Sequence, residues 1–199
     1  MKDNIITLKK TLPRLLIGLD GLSGSGKTTL VETLTDELSQ QNHSVTVVHL
    51  DDLITERSKR YHTGFPQWHE HYNLQWDVAR IAETLFQSWH RGDLELHLDH
   101  YDSTTGTVSI KPIHVPPEGI LLVEGVFLQR PEWRDFFDYL LYLDCPRDIR
   151  FQRVSARGNQ DPHDPARLET YKLRYWAAED HYLATVQPHL HADHVLKSN

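Results

Sequence analysis

The sequence predicts an α/β fold: a parallel sheet with helices on both faces, built around a phosphate-binding loop. Three observations carry this. Apolar runs at 15–20, 45–50, 120–125, 139–143 and 194–196 alternate with stretches of helical periodicity, the pattern of a parallel sheet. The stretch Gly21-Leu22-Ser23-Gly24-Ser25-Gly26-Lys27-Thr28-Thr29 fits G-x-x-x-x-G-K-[ST], the P-loop. That stretch lies between the first apolar run and a helix, which is the context the motif needs.

Residues Met1 to Arg14 carry scattered charges and no long apolar run, so no signal peptide is expected there. Leu15 to Asp20 reads as a buried strand. In the loop, Gly21, Gly24 and Gly26 are expected to turn with positive φ and to approach an anion closely. The N–H groups of the loop and helix start then aim at phosphate oxygens, with Ser23, Ser25 and Thr29 completing the candidate nucleotide cradle. Lys27 brings a point charge to the β- and γ-phosphates, and Thr28 offers a hydroxyl to Mg²⁺. Leu30, Leu34 and Leu38 share a helix face, and Asn42 is a stop signal for that helix near Gln41.

Val45 to Leu50 is rich in β-branched residues and forms the second strand. It runs into Asp51-Asp52, carboxylates at the strand end where α/β proteins bind ligands. Residues 53–73 read as a loop or broken helix. Asp77 can cap a helix that Gly92 ends, with Val78, Ile81, Ala82, Leu85, Phe86 and Trp89 as its apolar face. Alternation around Leu94–Leu98 and Val108–Ile110, across Ser103-Thr104-Thr105-Gly106, gives a β-hairpin. The whole insertion spans about 53–118. Ile120 to Gly125 is apolar except for Glu124 and so reads as a central strand. Pro131 can open a short helix, and Tyr139–Leu143 is the fourth strand. Pro146 opens a helix that Gly158 closes, a loop follows through Asp161–Asp164, and Asp164-Pro165 starts a long helix limited by Pro188. His194-Val195-Leu196 is a short last strand.

A chain of 199 residues is expected to form one domain. Its formal net charge of -7 argues against nucleic acid or an anionic membrane as partner, so any phosphate site must be a local basic patch. Cys145 is the only cysteine, which rules out an intrachain disulfide and suits a reducing, cytoplasmic setting. No segment has the roughly 18–20 apolar residues of a membrane span. The histidine clusters His69-x-His71 and His189-x-His191-x-x-His194 lack the helical spacing and adjacent carboxylate of a catalytic metal site.

Three features add chemistry to the P-loop. Asp51, at the end of the second strand, can accept the proton of an alcohol attacking a γ-phosphate, with Asp52 as its neighbour. Glu124 ends an apolar strand in the manner of a Walker-B acid, which holds Mg²⁺ directly or through water. Arg150, Arg153 and Arg157 share one helix face at about 147–165 and suit a lid, Arg150 toward the nucleotide and the other two toward the transferring phosphate. An acceptor pocket is expected inside the insertion, walled by aromatics that include Tyr101, with Asp77 and Asp102 accepting hydrogen bonds from ligand hydroxyls.

This ordered set resembles the uridine kinase and phosphoribulokinase family of P-loop kinases, which includes pantothenate kinase. The matching elements are the P-loop, Asp51-Asp52 after strand two, Tyr101-Asp102 in a hairpin, Glu124-Gly125 after strand three, an arginine-bearing lid, and Ala192-Asp193 before the last strand. The resemblance implies ATP, Mg²⁺ and transfer of the γ-phosphate to a small-molecule hydroxyl, first of all a nucleoside. It also implies that Asp51 is the general base, that the Tyr-Asp hairpin lines the acceptor pocket, and that the five strands run in the order 2-3-1-4-5. The chain departs from the uridine kinase pattern after Tyr101-Asp102, where Ser103-Thr104-Thr105-Gly106-Thr107 replaces a nearby His and Arg. A pantothenate- or sugar-type acceptor therefore stays open, as does a non-kinase module that binds or hydrolyses a nucleotide. A guanine switch would need an Asn-Lys-x-Asp motif, which the sequence lacks. Self-association into a homo-oligomer is compatible with all of these readings.

Overall fold

The computed structural model describes residues 1–157 and 164–198. Strand β1 (Arg14–Asp20) is buried from Leu15 onward because it runs through the middle of a five-stranded sheet. A short helix, α1 (Lys2–Lys9), precedes it and tucks Ile5 into the core. After the P-loop comes α2 (Lys27–Ser39), and Asn42 takes a left-handed φ of 61° just beyond it, as the stop signal requires. Strand β2 (Val45–His49) passes directly into a 3₁₀ turn, Leu50–Leu53, that carries Asp51 and Asp52.

The insertion contains α3 (Arg57–Arg60), α4 (Gln67–Asn73), α5 (Val78–Ile81) and α6 (Ser88–Arg91), with a π-helical turn, Ala82–Gln87, joining the last two. It ends in an antiparallel hairpin, β3 (Glu95–Asp102) and β4 (Thr107–His114). Strand β5 (Gly119–Gly125) is buried at every position. Pro131 does not open a helix; the chain makes only a 3₁₀ turn at Arg134–Phe136 before β6 (Tyr139–Asp144). Then follow α7 (Arg147–Arg157), α8 (Pro165–Thr170), a π-helical turn Tyr171–Trp176, α9 (Ala177–Thr185), α10 (Pro188–His191) and β7 (His194–Lys197). The expected stop at Gly158 and the loop up to residue 163 lie outside the described residues.

All four pairings in the main sheet are parallel, in the order β2-β5-β1-β6-β7. In terms of the five sheet strands this is the expected 2-3-1-4-5. Side chains of a strand alternate between faces, so the sheet makes two cores. Leu15, Ile17, Leu19, Ile120 and Leu122 pack against α1 and α2. Leu16, Leu121 and Val123 pack against the insertion and α9, where Trp89, Trp133 and Tyr182 are fully buried. Among the described residues no helix is long and apolar enough to cross a membrane. The topology brings the carboxyl ends of β1, β2 and β5 side by side, and the sequence places the P-loop, Asp51 and Glu124 there.

Candidate active site

The loop after β1 has the geometry of an anion cradle. Gly24 and Gly26 take φ of 78° and 100°, whereas Gly21 is needed for space: a Cβ there would lie 2.9 Å from the Leu143 carbonyl. A Cβ on Gly24 would lie 2.7 Å from the Arg150 carbonyl, so α7 closes on the loop. The buried Ser25 hydroxyl has no hydrogen-bond partner among the described residues. It lies just before the N-terminus of α2, a helix of 13 residues whose dipole favours an anion. Lys27 is buried and its ammonium donates to the Leu22 carbonyl at 3.3 Å. Burial lowers its pKa, and Glu124, Asp51, Asp20 and Glu179 work against that shift.

Glu124 ends β5 opposite His49 of β2, and the imidazole Nδ1 lies 2.8 Å from its Oε1. The Thr28 hydroxyl reaches the same oxygen at 3.5 Å. These are two hard oxygen donors converging in front of the P-loop, a set that suits Mg²⁺. The turn carrying Asp51 is seated by Leu50, which packs so closely on Gly125 that a Cβ there would be 2.6 Å from the Leu50 Cβ. Trp76 also donates its indole N–H to the Leu50 carbonyl at 2.8 Å. Asp51 opens to the cleft, and burial raises its pKa; Lys27 opposes the rise, and Glu124 and Asp52 add to it. Asp52 faces away toward the hairpin, with His100 at 3.8 Å.

Two cavities flank this centre. One, of about 710 Å³, is bounded by Gly26, Thr29 and Leu30 on one side and by Leu143, Arg153 and Leu196 on the other. The second, of about 230 Å³, lies between the Leu53–Glu56 segment, α5 and the hairpin, where the sequence had placed an acceptor pocket. Asp77 lines it, while Tyr101 and Asp102 do not. Asp77 also caps α5, accepting from the Arg80 N–H at 3.0 Å. The Asp102 carboxylate is exposed and closes the hairpin turn by accepting from the Thr104 N–H at 2.8 Å. Tyr101 sits under the Arg60 guanidinium, 5.1 Å from the ring centre.

The lid arginines divide. Arg150 is buried, and its guanidinium holds the Glu179 carboxylate with two bonds of 2.7 and 3.0 Å and the Ser23 carbonyl with another of 3.0 Å. Through these bonds it braces the P-loop. Arg153 donates to the Ser25 carbonyl and to the Ser198 hydroxyl, both at 3.0 Å, at the edge of the larger cavity. Arg157 closes the described part of α7; its side chain lies outside the described residues.

A family model described as AAA domain matches residues 17–174. The uridine kinase of Lactobacillus johnsonii is 29% identical over 181 residues, which is 87% of this chain and 77% of that one. That of Lactobacillus helveticus is 30% identical over 154 residues, 74% of this chain and 69% of its own length. Among solved structures, a possible uridine kinase from Bacillus stearothermophilus is 42% identical, covers 98% of both chains and superposes with a TM-score of 0.80. The chain belongs to the uridine kinase family of P-loop kinases. A D-glycerate 3-kinase from Cryptococcus neoformans, at 11% identity and a TM-score of 0.61 over 88% of this chain and 85% of its own, shares the fold alone.

Around this uridine kinase-type centre lie residues that the sequence reading missed. Asp20, fully buried at the end of β1, turns one carboxylate oxygen onto the Gly21 N–H at 2.8 Å. The other oxygen accepts from the Tyr182 hydroxyl at 2.6 Å and the Gln129 amide at 3.0 Å. A signal for it was present: like Glu124, it is an acid ending an otherwise apolar strand. Glu179 and Arg174 had no such signal, since their partners are far away in sequence.

Proposed function

We propose that the protein is an ATP-dependent kinase that transfers the γ-phosphate to a hydroxyl of a small metabolite. The observation that carries the proposal is the convergence of Lys27, Thr28, Asp51 and Glu124 where β1, β2 and β5 end. The residues present fit a magnesium nucleotide, given the orphan Ser25 hydroxyl in the cradle and the Thr28–Glu124 oxygen pair. In this reading the P-loop and Lys27 hold the phosphates, and Thr28 and Glu124 hold Mg²⁺, directly or through water. Bound magnesium would supply charge neutralisation of the phosphates. Asp51 accepts the proton of the attacking hydroxyl, and its raised pKa makes it a stronger base than an ordinary carboxylate. The larger cavity, bounded by Thr29 and Leu196, takes the nucleotide base. Arg153, beside the Ser25 carbonyl, and Arg157 serve the transferring phosphate in a lid.

The acceptor has two readings. The names of the relatives favour a nucleoside, and uridine is the first compound to try. The hairpin turn favours a sugar- or pantothenate-type acceptor, because Asp102 is engaged with Thr104 and Thr105 and no arginine follows before Pro112. The single cysteine, free and buried, accords with a cytoplasmic setting as part of the proposal. The test is ATP turnover by the purified protein, with and without each candidate alcohol, in wild type and Lys27→Ala. Acceptor-dependent ADP release that the variant abolishes supports the kinase. ATP turnover that no alcohol stimulates, or that survives in Lys27→Ala, sinks it.

A further inference from the structure

Where the insertion meets the π-helical turn Tyr171–Trp176, positive charge concentrates with a single paired carboxylate among the described residues. Three guanidinium groups gather on the ring of Tyr61: Arg174 at 3.9 Å, Arg57 at 4.7 Å and Arg60 at 5.0 Å from its centre. Glu70, 3.1 Å from Arg174, is the one carboxylate paired with any of them among the described residues. Arg60 is only 6% exposed, and its one hydrogen bond among the described residues runs from Nε to the Thr55 carbonyl, which leaves its terminal nitrogens accessible to a ligand. Arg174 is 2% exposed; its terminal nitrogens donate to Glu70, the Arg60 carbonyl and the Gln75 amide oxygen, and its Nε is unpartnered. Buried guanidinium groups are costly unless their donors are matched by an anion or a full set of acceptors. In a chain of net charge -7, this surplus is also the local basic patch that composition demanded. The field is felt nearby. His71 is driven down to about 3, first by burial and then by repulsion from Arg174 and Arg60.

The patch adjoins the reaction centre through the hairpin. Arg60 also lies over Tyr101, and the next residue along β3, His100, stands 3.8 Å from Asp52, the neighbour of the proposed base. A molecule with its hydroxyl at Asp51 would therefore extend along the hairpin toward Arg60. We propose that the Arg57–Arg60–Arg174 cluster receives an anionic group of the phosphoryl acceptor, a carboxylate or a phosphoester, so that the preferred substrate is a negatively charged alcohol rather than a neutral nucleoside. This rests on the kinase reading above and selects the negatively charged members of its second acceptor class. Guanidinium groups suit either anion, because their planar donors pair with two oxygens at once.

Matched alcohols test the idea: glycerol against glycerate, pantothenol against pantothenate, ribulose against ribulose 5-phosphate, with uridine beside them, all at saturating magnesium ATP. At least one charged member should exceed its neutral twin and uridine by about tenfold or more in kcat/KM. Arg57→Gln and Arg60→Gln should each raise KM for that acceptor by about tenfold, with KM for ATP nearly fixed. Arg57 is exposed, so its variant will report even if the buried Arg60→Gln misfolds. A second readout does not depend on finding the acceptor. With the P-loop filled by a non-hydrolysable magnesium ATP analogue, sulfate or acetate should raise the melting temperature of the wild type and not of Arg57→Gln. A response to acetate marks a carboxylate acceptor, and a response to sulfate marks a phosphoester. No anion response, or a preference for uridine and the neutral twins, overturns the inference while leaving the kinase standing. Loss of the kinase reading itself looks different: no alcohol stimulates turnover, and Lys27→Ala behaves as wild type.

Discussion

Burial pushes the Asp51 carboxyl up, Lys27 pulls it back, and Glu124 and Asp52 push it up again, for a net rise above the ordinary carboxylate value. The consequence for catalysis has a definite sign. A base must be deprotonated to act, so kcat should fall on acidification with a midpoint above about 4, the value for an unperturbed Asp. Asp51→Asn should lower kcat by about 10²–10⁴-fold and abolish that acid limb while leaving KM for ATP nearly unchanged. Asp52→Asn should do much less, since Asp52 faces His100 rather than Lys27. A pH–rate profile of both variants decides the matter; an acid limb that survives in Asp51→Asn belongs to another group. At this scale the candidate site was largely legible, because a P-loop and two strand-end acids are local patterns. The capping role of Asp77 was legible in the sequence, whereas Asp102 was legible only as a residue type. That one caps α5 and the other closes a turn follows from which backbone N–H each finds, and their short side chains find the nearest ones.

Helix α7 shows what spacing can and cannot tell. Steps of three and four residues correctly put Arg150 and Arg153 on a face turned to the P-loop. Spacing does not say how deep each sits. Arg150 is buried because Glu179, from α9, meets it with both oxygens, and that partner is 29 residues away. Tertiary packing of two helices against one loop decided the matter, and no local signal encodes it. The same limit explains why the π-helical turns in both long helices went unread. The brace makes a prediction for the element. Glu179→Ala leaves a buried guanidinium without its carboxylate and should cost about 3–5 kcal/mol of stability. It should also raise KM for ATP, because the Ser23 carbonyl loses a firmly held donor. Asp180→Ala, one residue on, removes an exposed partner of Arg147 and should cost no more than about 1 kcal/mol. Urea unfolding of the two variants side by side checks this; equal losses would mean that Arg150 finds other acceptors.

Across the whole molecule, the strands were readable because each parallel strand is an apolar run, and their order followed from the family resemblance. What ties the layers together was not. Asp20 sits at the centre of the sheet, Gln129 and Leu128 follow β5, and Tyr182 belongs to α9, yet all of them meet at one carboxylate. This knot joins the P-loop to α9, so its strength should set both global stability and the loop's position. Burial raises the Asp20 pKa, and the hydrogen bonds from Tyr182 and Gln129 hold that rise in check. A carboxyl whose folded pKa exceeds its unfolded one binds its proton more tightly when folded. Its ionisation therefore subtracts stability as pH climbs from the unfolded value toward the folded one. Tyr182→Phe removes one check, so the folded pKa rises further and the subtraction grows. The variant should lose about 1–3 kcal/mol for the missing hydroxyl, and its deficit against wild type should be larger at pH 8 than at pH 5. A purely packing role for Tyr182 would give a deficit that does not change with pH. Urea titrations of both proteins at the two pH values separate these outcomes, and a deficit that shrinks at pH 8 would overturn the role of Tyr182 as a donor to ionised Asp20.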